Sequence, residues 1–288
     1  MLDAEAIKTY DERGYVHLRA VFSEPEVAAM ARELVRICRF EHGPVHGVDV
    51  PRPDESDDEL LRKTVAVHFP HKLSPLIRDV IRHPALVTVL STLLGPNVKC
   101  VQSMFFVRPS GGPGQAWHQD EHYIPSRDRS VTSTWIAIDR ATAENGCLRV
   151  IPGSHRRGIL WPHGPHDDPR YDPVGEAHHH PYSESDAVTL EAEPGDLLVF
   201  NGYLLHRSGR NQASHGYRRS LAFHSVRAET LMPWMGAERR GPIGGADCRD
   251  FEMVCGEDPY AFRGREDVSP PWMRPAVLKP PKPPEEAP

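Results

Sequence analysis

The chain has 288 residues, 39% of them hydrophobic, and a formal net charge of -6. That is enough apolar material for a sizeable core, and the basic residues are scattered, which excludes the clustered footprint expected of nucleic-acid or anionic-membrane binding. No apolar run approaches the roughly 20 residues of a bilayer span, the first residues lack a signal-peptide layout, and the five cysteines form no C-x-x-C pair. The expectation is a cytoplasmic protein acting on a small molecule, as a monomer or homodimer.

Helical signals come first. "FSEPEVAAMARELVRICRF" opens with Ser23 and Glu26 in capping-box spacing and sets Val27, Met30, Ala31, Leu34, Ile37 and Cys38 at helical intervals. "SPLIRDVIRHPALVTVLSTLLG" reads as two helices meeting at Pro84, with Gly95 as a C-cap. Residues 1–95 therefore read as mostly helical.

After Gly95 the pattern changes to short β-branched and aromatic runs between turn residues: "VKCVQSMFFV", "VTSTWIAID", "CLRVI", "AVTLEA", "DLLVF" and "RRSLAFHSV". Short strands without alternating helices predict an antiparallel double-stranded β-helix, a cupin-like jelly roll, with the front helices layered on one sheet. The chain reads as one domain over residues 1–275, with a jelly-roll core over 96–228, an extension over 229–275 and a flexible proline-rich tail over 276–288. Residues 43–58, 156–185 and those from about 232 onward break the rhythm and read as functional loops or lids.

Chemistry concentrates in "AWHQDEHYIP", where His118, Asp120 and His122 crowd together. Proximity alone is weak evidence: with 17 histidines and 19 aspartates, chance supplies about one H-x-D triplet. A second, His166 to Asp168, lies in the proline-rich "WPHGPHDDPRYDP", which reads as a solvated loop. The "HHH" run, His178 to His180, reads the same way, because three adjacent side chains cannot converge on one ion. What distinguishes His118 and Asp120 is a distant partner. "PGDLLVFNGYLLHRSGRN" runs from a turn through an apolar strand to His206, and Arg218 follows twelve residues later. Two imidazoles and one carboxylate form the facial triad of non-heme Fe(II) oxygenases, which leaves coordination positions open for chemistry.

"HQDEHYIP", "TWIAIDRATAENGCLRVIPGSH" and "PGDLLVFNGYLLHRSGRN…GYRRSLAFH" together resemble the phytanoyl-CoA dioxygenase family of Fe(II)/2-oxoglutarate oxygenases, over about residues 98–225. The resemblance implies that His118, Asp120 and His206 ligate iron and that Arg218 and Ser208 hold the distal carboxylate of 2-oxoglutarate. Trp135, Met104 and Gln102 would line the co-substrate site, and Lys63 would add a further contact. The spacing between His206 and Arg218 is one residue longer than the family's usual one, which leaves Arg219 as an alternative register. His122, Tyr123, Arg108 and Trp161 fall to the substrate side, with packing as the competing role for the first two. The implied reaction consumes O2 and 2-oxoglutarate, releases succinate and CO2, and hydroxylates, desaturates or cyclises a small organic molecule. Retention of Asp120 argues against halogenation. Two rivals are a cupin-like zinc or manganese isomerase or hydrolase, which would not need Arg218 and Ser208, and a silent metabolite-binding relative.

Overall fold

The computed structural model describes residues 2–233 and 246–276. Helix α1 (Ala4–Arg13) starts at Asp3, whose carboxylate accepts from the Ala6 amide, and stops at Gly14 in the left-handed region. Strand β1 (Tyr15–Leu18) follows, then α2 (Glu24–Cys38), where the Ser23–Glu26 capping box forms as the spacing predicts. The stripe Val27, Met30, Leu34, Ile37 and Cys38 is buried, each side chain contributing on the order of 2 kcal/mol of transfer free energy. Helix α3 (Asp57–Arg62) leads to β2 (Thr64–His68), and α4 (Pro75–Ile81) and α5 (Pro84–Leu94) meet at Pro84, which begins α5 where a missing amide hydrogen costs nothing.

The β region follows as β3 (Val98–Pro109), β4 (Gln115–His118), the single turn α6 (Asp120–Tyr123), β5 (Thr132–Ala137), β6 (Leu148–Val150), β7 (His163–Gly164) and β8 (Glu176–Ala177). It continues through β9 (Val188–Leu190), β10 (Leu197–Asn201), β11 (His206–Ser208), β12 (Tyr217–Arg227), β13 (Glu252–Cys255) and β14 (Trp272–Pro275). An eight-stranded antiparallel sheet runs β1-β10-β5-β12-β3-β2-β14, with β13 also on β3; a four-stranded sheet runs β4-β11-β6-β9, and β7 and β8 form a small hairpin.

Strand alternation gives the large sheet two faces of opposite character. Val67, Phe105, Ile136, Leu197 and Leu221 join the helices in the main core. On the other face His68, Met104, Ala222 and Trp135 lie directly opposite one another along one rung, looking into a cavity of about 320 Å³ closed by the small sheet.

The jelly-roll expectation holds. Residues 1–95 carry helices α1 to α5, and β1 and β2 among them extend the large sheet; both strands are too short for periodicity to separate them from their helical neighbours. One expectation is corrected. The segment after residue 232 is not an unpatterned lid throughout, since β13 and β14 pair with β3 and β2. The proline-rich tail lies outside the described residues from 277 onward. Among the described residues no helix is long and apolar enough to cross a membrane. The "PGSH" turn has the structural role expected of it: Gly153 donates to the Arg13 carbonyl and the His155 ring contacts the Asp11 carbonyl, docking the turn on α1.

Buried His71, its Nδ1 2.6 Å from the Ser103 hydroxyl, is pushed down to about 4 by burial and then by Lys72. The unfolded chain therefore takes up a proton that the folded chain refuses, so this stabilisation is complete above the ordinary histidine range and is lost as pH falls through about 4. Urea titrations should show the stability advantage of the wild type over His71→Asn shrinking by on the order of 3 kcal/mol between pH 7 and pH 4.

Candidate active site

Antiparallel pairing of β4 with β11 sets His118 directly opposite His206, with ring centroids 4.0 Å apart. Each ring is pinned from behind: His118 Nδ1 donates to the Ala116 carbonyl at 2.8 Å and His206 Nδ1 to the Leu204 carbonyl at 2.9 Å. Both Nε2 lone pairs are thereby turned inward, the orientation a metal requires. Asp120 Oδ1 lies 3.8 Å from His118 Nε2 and 3.6 Å from His206 Nε2, too far to hydrogen-bond and suited to sharing a cation. Among the described residues these three form the only His/Cys/Asp/Glu group able to hold an ion, with donor atoms within 4.8 Å of one another.

Strand alternation does not bring Asp120 to its place. β4 ends at His118, and Asp120 is the first residue of α6. Gln119 anchors this break: its side chain donates to the Ile159 and Tyr203 carbonyls and accepts from the Trp161 amide.

The protonation states suit a divalent metal. Burial, followed by the neighbouring His206, pushes His118 down to about 3, so its imidazole is neutral. Burial alone would raise the Asp120 carboxyl, but the imidazoles of His206, His224 and His118 and the Ser133 hydroxyl outweigh it and hold the group below its ordinary value.

Arg218 opens into the same cavity, 2% exposed, and burial lowers it only to about 10, leaving it charged at neutral pH. Its Nε and Nη2 have no hydrogen-bond partner among the described residues, an expensive state for a buried guanidinium. Ser208, two residues beyond His206, lines the cavity beside it, and Trp135 lies 5.9 Å beneath the guanidinium. These orphaned donors fit an absent carboxylate. Arg219, the arginine of the alternative register, points to the other face and is engaged by both oxygens of Asp139 at 2.8 Å.

Met104, Gln102 and Tyr123 also line the cavity, and the Tyr123 hydroxyl is 2.8 Å from His163 Nε2. Other expected residues are not brought there. Lys63 caps α3, pairs with Glu55 and lines a separate surface depression. Arg108 shares the Arg218 face but is 1% exposed, donating to the Val65 carbonyl and pairing with Asp172, and the cavity lining does not include it. Trp161 packs near Trp117, Ile151 and Leu205. His122 stacks on His163 at 4.2 Å outside the lining. The second H-x-D is local structure, with His166 on the Asp172 carbonyl and Asp168 on Arg170. The "HHH" run contributes nothing to the lining.

Three titratable cavity residues escaped sequence reasoning. His224 Nε2 is 3.6 Å from Asp120 Oδ2; the two-residue alternation from Arg218 along β12 could have found it. His68 and Arg274 line the far side of the cavity, brought there by β2 and β14.

A sequence model of the phytanoyl-CoA dioxygenase family matches residues 10–220. The chain belongs to the phytanoyl-CoA dioxygenase family. Bovine peroxisomal phytanoyl-CoA dioxygenase is 29% identical over 241 residues, covering 78% of this chain and 68% of that protein. Solved folds agree: the non-heme monooxygenase ThoJ has a TM-score of 0.65 at 21% identity, covering 88% and 84% of the two chains. EctD from S. alaskensis, solved with 2-oxoglutarate and 5-hydroxyectoine, has a TM-score of 0.63 at 21% identity, covering 83% and 82%. This phytanoyl-CoA dioxygenase family member is accordingly a non-heme iron- and 2-oxoglutarate-dependent oxygenase.

Because Gln119 makes three hydrogen bonds that tie the site to residues 159–161 and 203, Gln119→Ala should lower unfolding free energy by about 3 kcal/mol in urea denaturation.

Proposed function

We propose that His118, Asp120 and His206 hold Fe(II), that Arg218 and Ser208 bind the distal carboxylate of 2-oxoglutarate, and that the enzyme oxidises a C–H bond of a small organic molecule. The observation that carries this reading is the buried Arg218 guanidinium, with Nε and Nη2 unpaired, in the same cavity as the triad. The chemistry of a metal hydrolase or isomerase does not require such a cation behind its metal. When bound, iron with 2-oxoglutarate and O2 supplies the oxidising power and releases succinate and CO2.

The protein's own residues then have distinct tasks. The Ala116 and Leu204 carbonyls orient the two imidazoles, and Ser133 donates to Asp120 Oδ2, leaving Oδ1 toward the histidines. Met104, Phe106, Ile124 and Phe200 wall the cavity with apolar surface, keeping bulk water from the reacting carbon. Retention of the Asp120 carboxylate favours hydroxylation, desaturation or ring formation over halogenation. Tyr123, held by His163, borders the space a substrate would fill. The five cysteines lack disulfide partners, which favours a reducing cytoplasm.

Succinate release from 2-oxoglutarate should require Fe(II) and stop on chelation. Asp120→Ala should lower it by about a thousandfold and remove the Mn(II)-induced rise in melting temperature, whereas His122→Ala should keep that rise. Arg218→Gln should raise the KM for 2-oxoglutarate by roughly 30-fold or more. Zinc retention without Fe(II)-dependent succinate release, across a metabolite panel, would overturn the assignment.

A further inference from the structure

The far side of the cavity holds positive charge that the proposed co-substrate site does not use. Arg274, on β14, lines the cavity with its side chain only 10% exposed, and its Nε and Nη2 make no hydrogen bond among the described residues. Its nearest counter-charge is Asp172, whose Oδ2 lies 3.2 Å from Arg274 Nη2. That same oxygen also accepts from Arg108 Nη2 at 3.4 Å, so one carboxylate is divided between two buried guanidiniums. Two guanidiniums with one carboxylate leave the group net positive, and of the two only Arg274 lines the cavity.

His68 reinforces the site. It lies opposite Trp272 across the β2–β14 pair, with ring centroids 4.9 Å apart, and its buried Nε2 also lacks a partner. Burial first, then Arg274 and His224, push His68 down to about 3, so it is a neutral hydrogen-bonding group rather than a second cation. β14 is separated from β12, which carries Arg218, by β3 and β2. At about 4.8 Å per strand the two arginine backbones stand roughly 14 Å apart. On the assignment proposed above, a distal carboxylate of 2-oxoglutarate at Arg218 would not reach Arg274, whose counter-charge is the shared Asp172.

We infer that Arg274, assisted by His68, is a specificity-determining residue that binds an anionic group of the substrate, a carboxylate or a phosphate, at the end of the cavity remote from Arg218. This inference rests on the co-substrate assignment of Arg218 given above. Leaving a buried guanidinium short of hydrogen bonds is costly, and an anion reaching Arg274 would supply them to Nε and Nη2, which has only a shared ion pair with Asp172. An amide or hydroxyl in the same place would leave the charge uncompensated, so the site selects acids over their neutral analogues.

The test titrates the full chain, loaded with Mn(II) and 2-oxoglutarate, with hexanoate, hexyl phosphate and hexanamide by calorimetry. At least one of the two anions should bind about tenfold or more tightly than hexanamide, and the tighter of the two identifies carboxylate or phosphate as the preferred group. That preference should fall to near unity in Arg274→Gln and to an intermediate value in Arg274→Lys, which keeps the charge but not the fork. Should Arg274→Gln fail to fold by circular dichroism, the Arg274→Lys ratio decides. Equal binding of charged and neutral probes, or a preference untouched by the Arg274 variants, would overturn the inference. So would loss of 2-oxoglutarate affinity in place of probe preference, since Arg274 would then belong to the co-substrate cradle. Separately titrated, Arg218→Gln should lose 2-oxoglutarate affinity; if it does not, the reading of Arg218 fails while the Arg274 ratios remain interpretable.

Discussion

The pairing of β4 with β11 is the constraint on which the site depends. It sets His118 against His206 at the mouth of the small sheet, and backbone carbonyls two residues earlier fix both rings with Nε2 inward. These bonds use groups that strand geometry supplies in any case, so the imidazoles are oriented before a metal arrives. Asp120 then needs only the single turn of α6 to reach them, and Gln119 locks that turn to two distant loops.

The large sheet resolves a conflict between burying a core and housing charge. Its helix-facing side is largely apolar, while its cavity side carries Arg108, Arg218, His68, His224 and Arg274. Burying several guanidiniums with one neighbouring carboxylate opposes folding unless ligands complete the pairing. Most of that cost falls on β12, β3, β2 and β14, which are held together by continuous antiparallel pairing and by the core on their opposite face. The fold can therefore keep under-neutralised cations facing a cavity, where they are available to anions.

Legibility differed residue by residue. That His118, Asp120, His206, Ser208 and Arg218 meet in one cavity was readable because they combine specific chemistry with recurrent spacing and a family resemblance. Trp135, Met104 and Gln102 were readable through that resemblance alone. Lys63, Arg108 and Trp161 carried suitable side chains in suitable stretches yet lie outside the cavity. An exposed helix cap, a covering Asp172 and a local aromatic cluster decided their places. His224 was hidden in plain alternation along β12, whereas Arg274 had no local signal, because its strand stands in a proline-rich segment and pairs with β2 about two hundred residues earlier.

By itself, the sequence determined the capped front helices, the succession of short strands, the H-x-D with its distant histidine, and the presence of an arginine after it. These follow from local periodicity, cap chemistry and spacing, which act over a few residues. Only the tertiary structure shows that Arg218 and not Arg219 faces the cavity, because this depends on which face of β12 meets it and on Asp139 occupying the other. It alone brought β2 and β14 to the edge of the large sheet and so set His68 and Arg274 inside the cavity. Long-range strand pairing is specified by the whole hydrophobic face rather than by any short stretch, and no local pattern announces it.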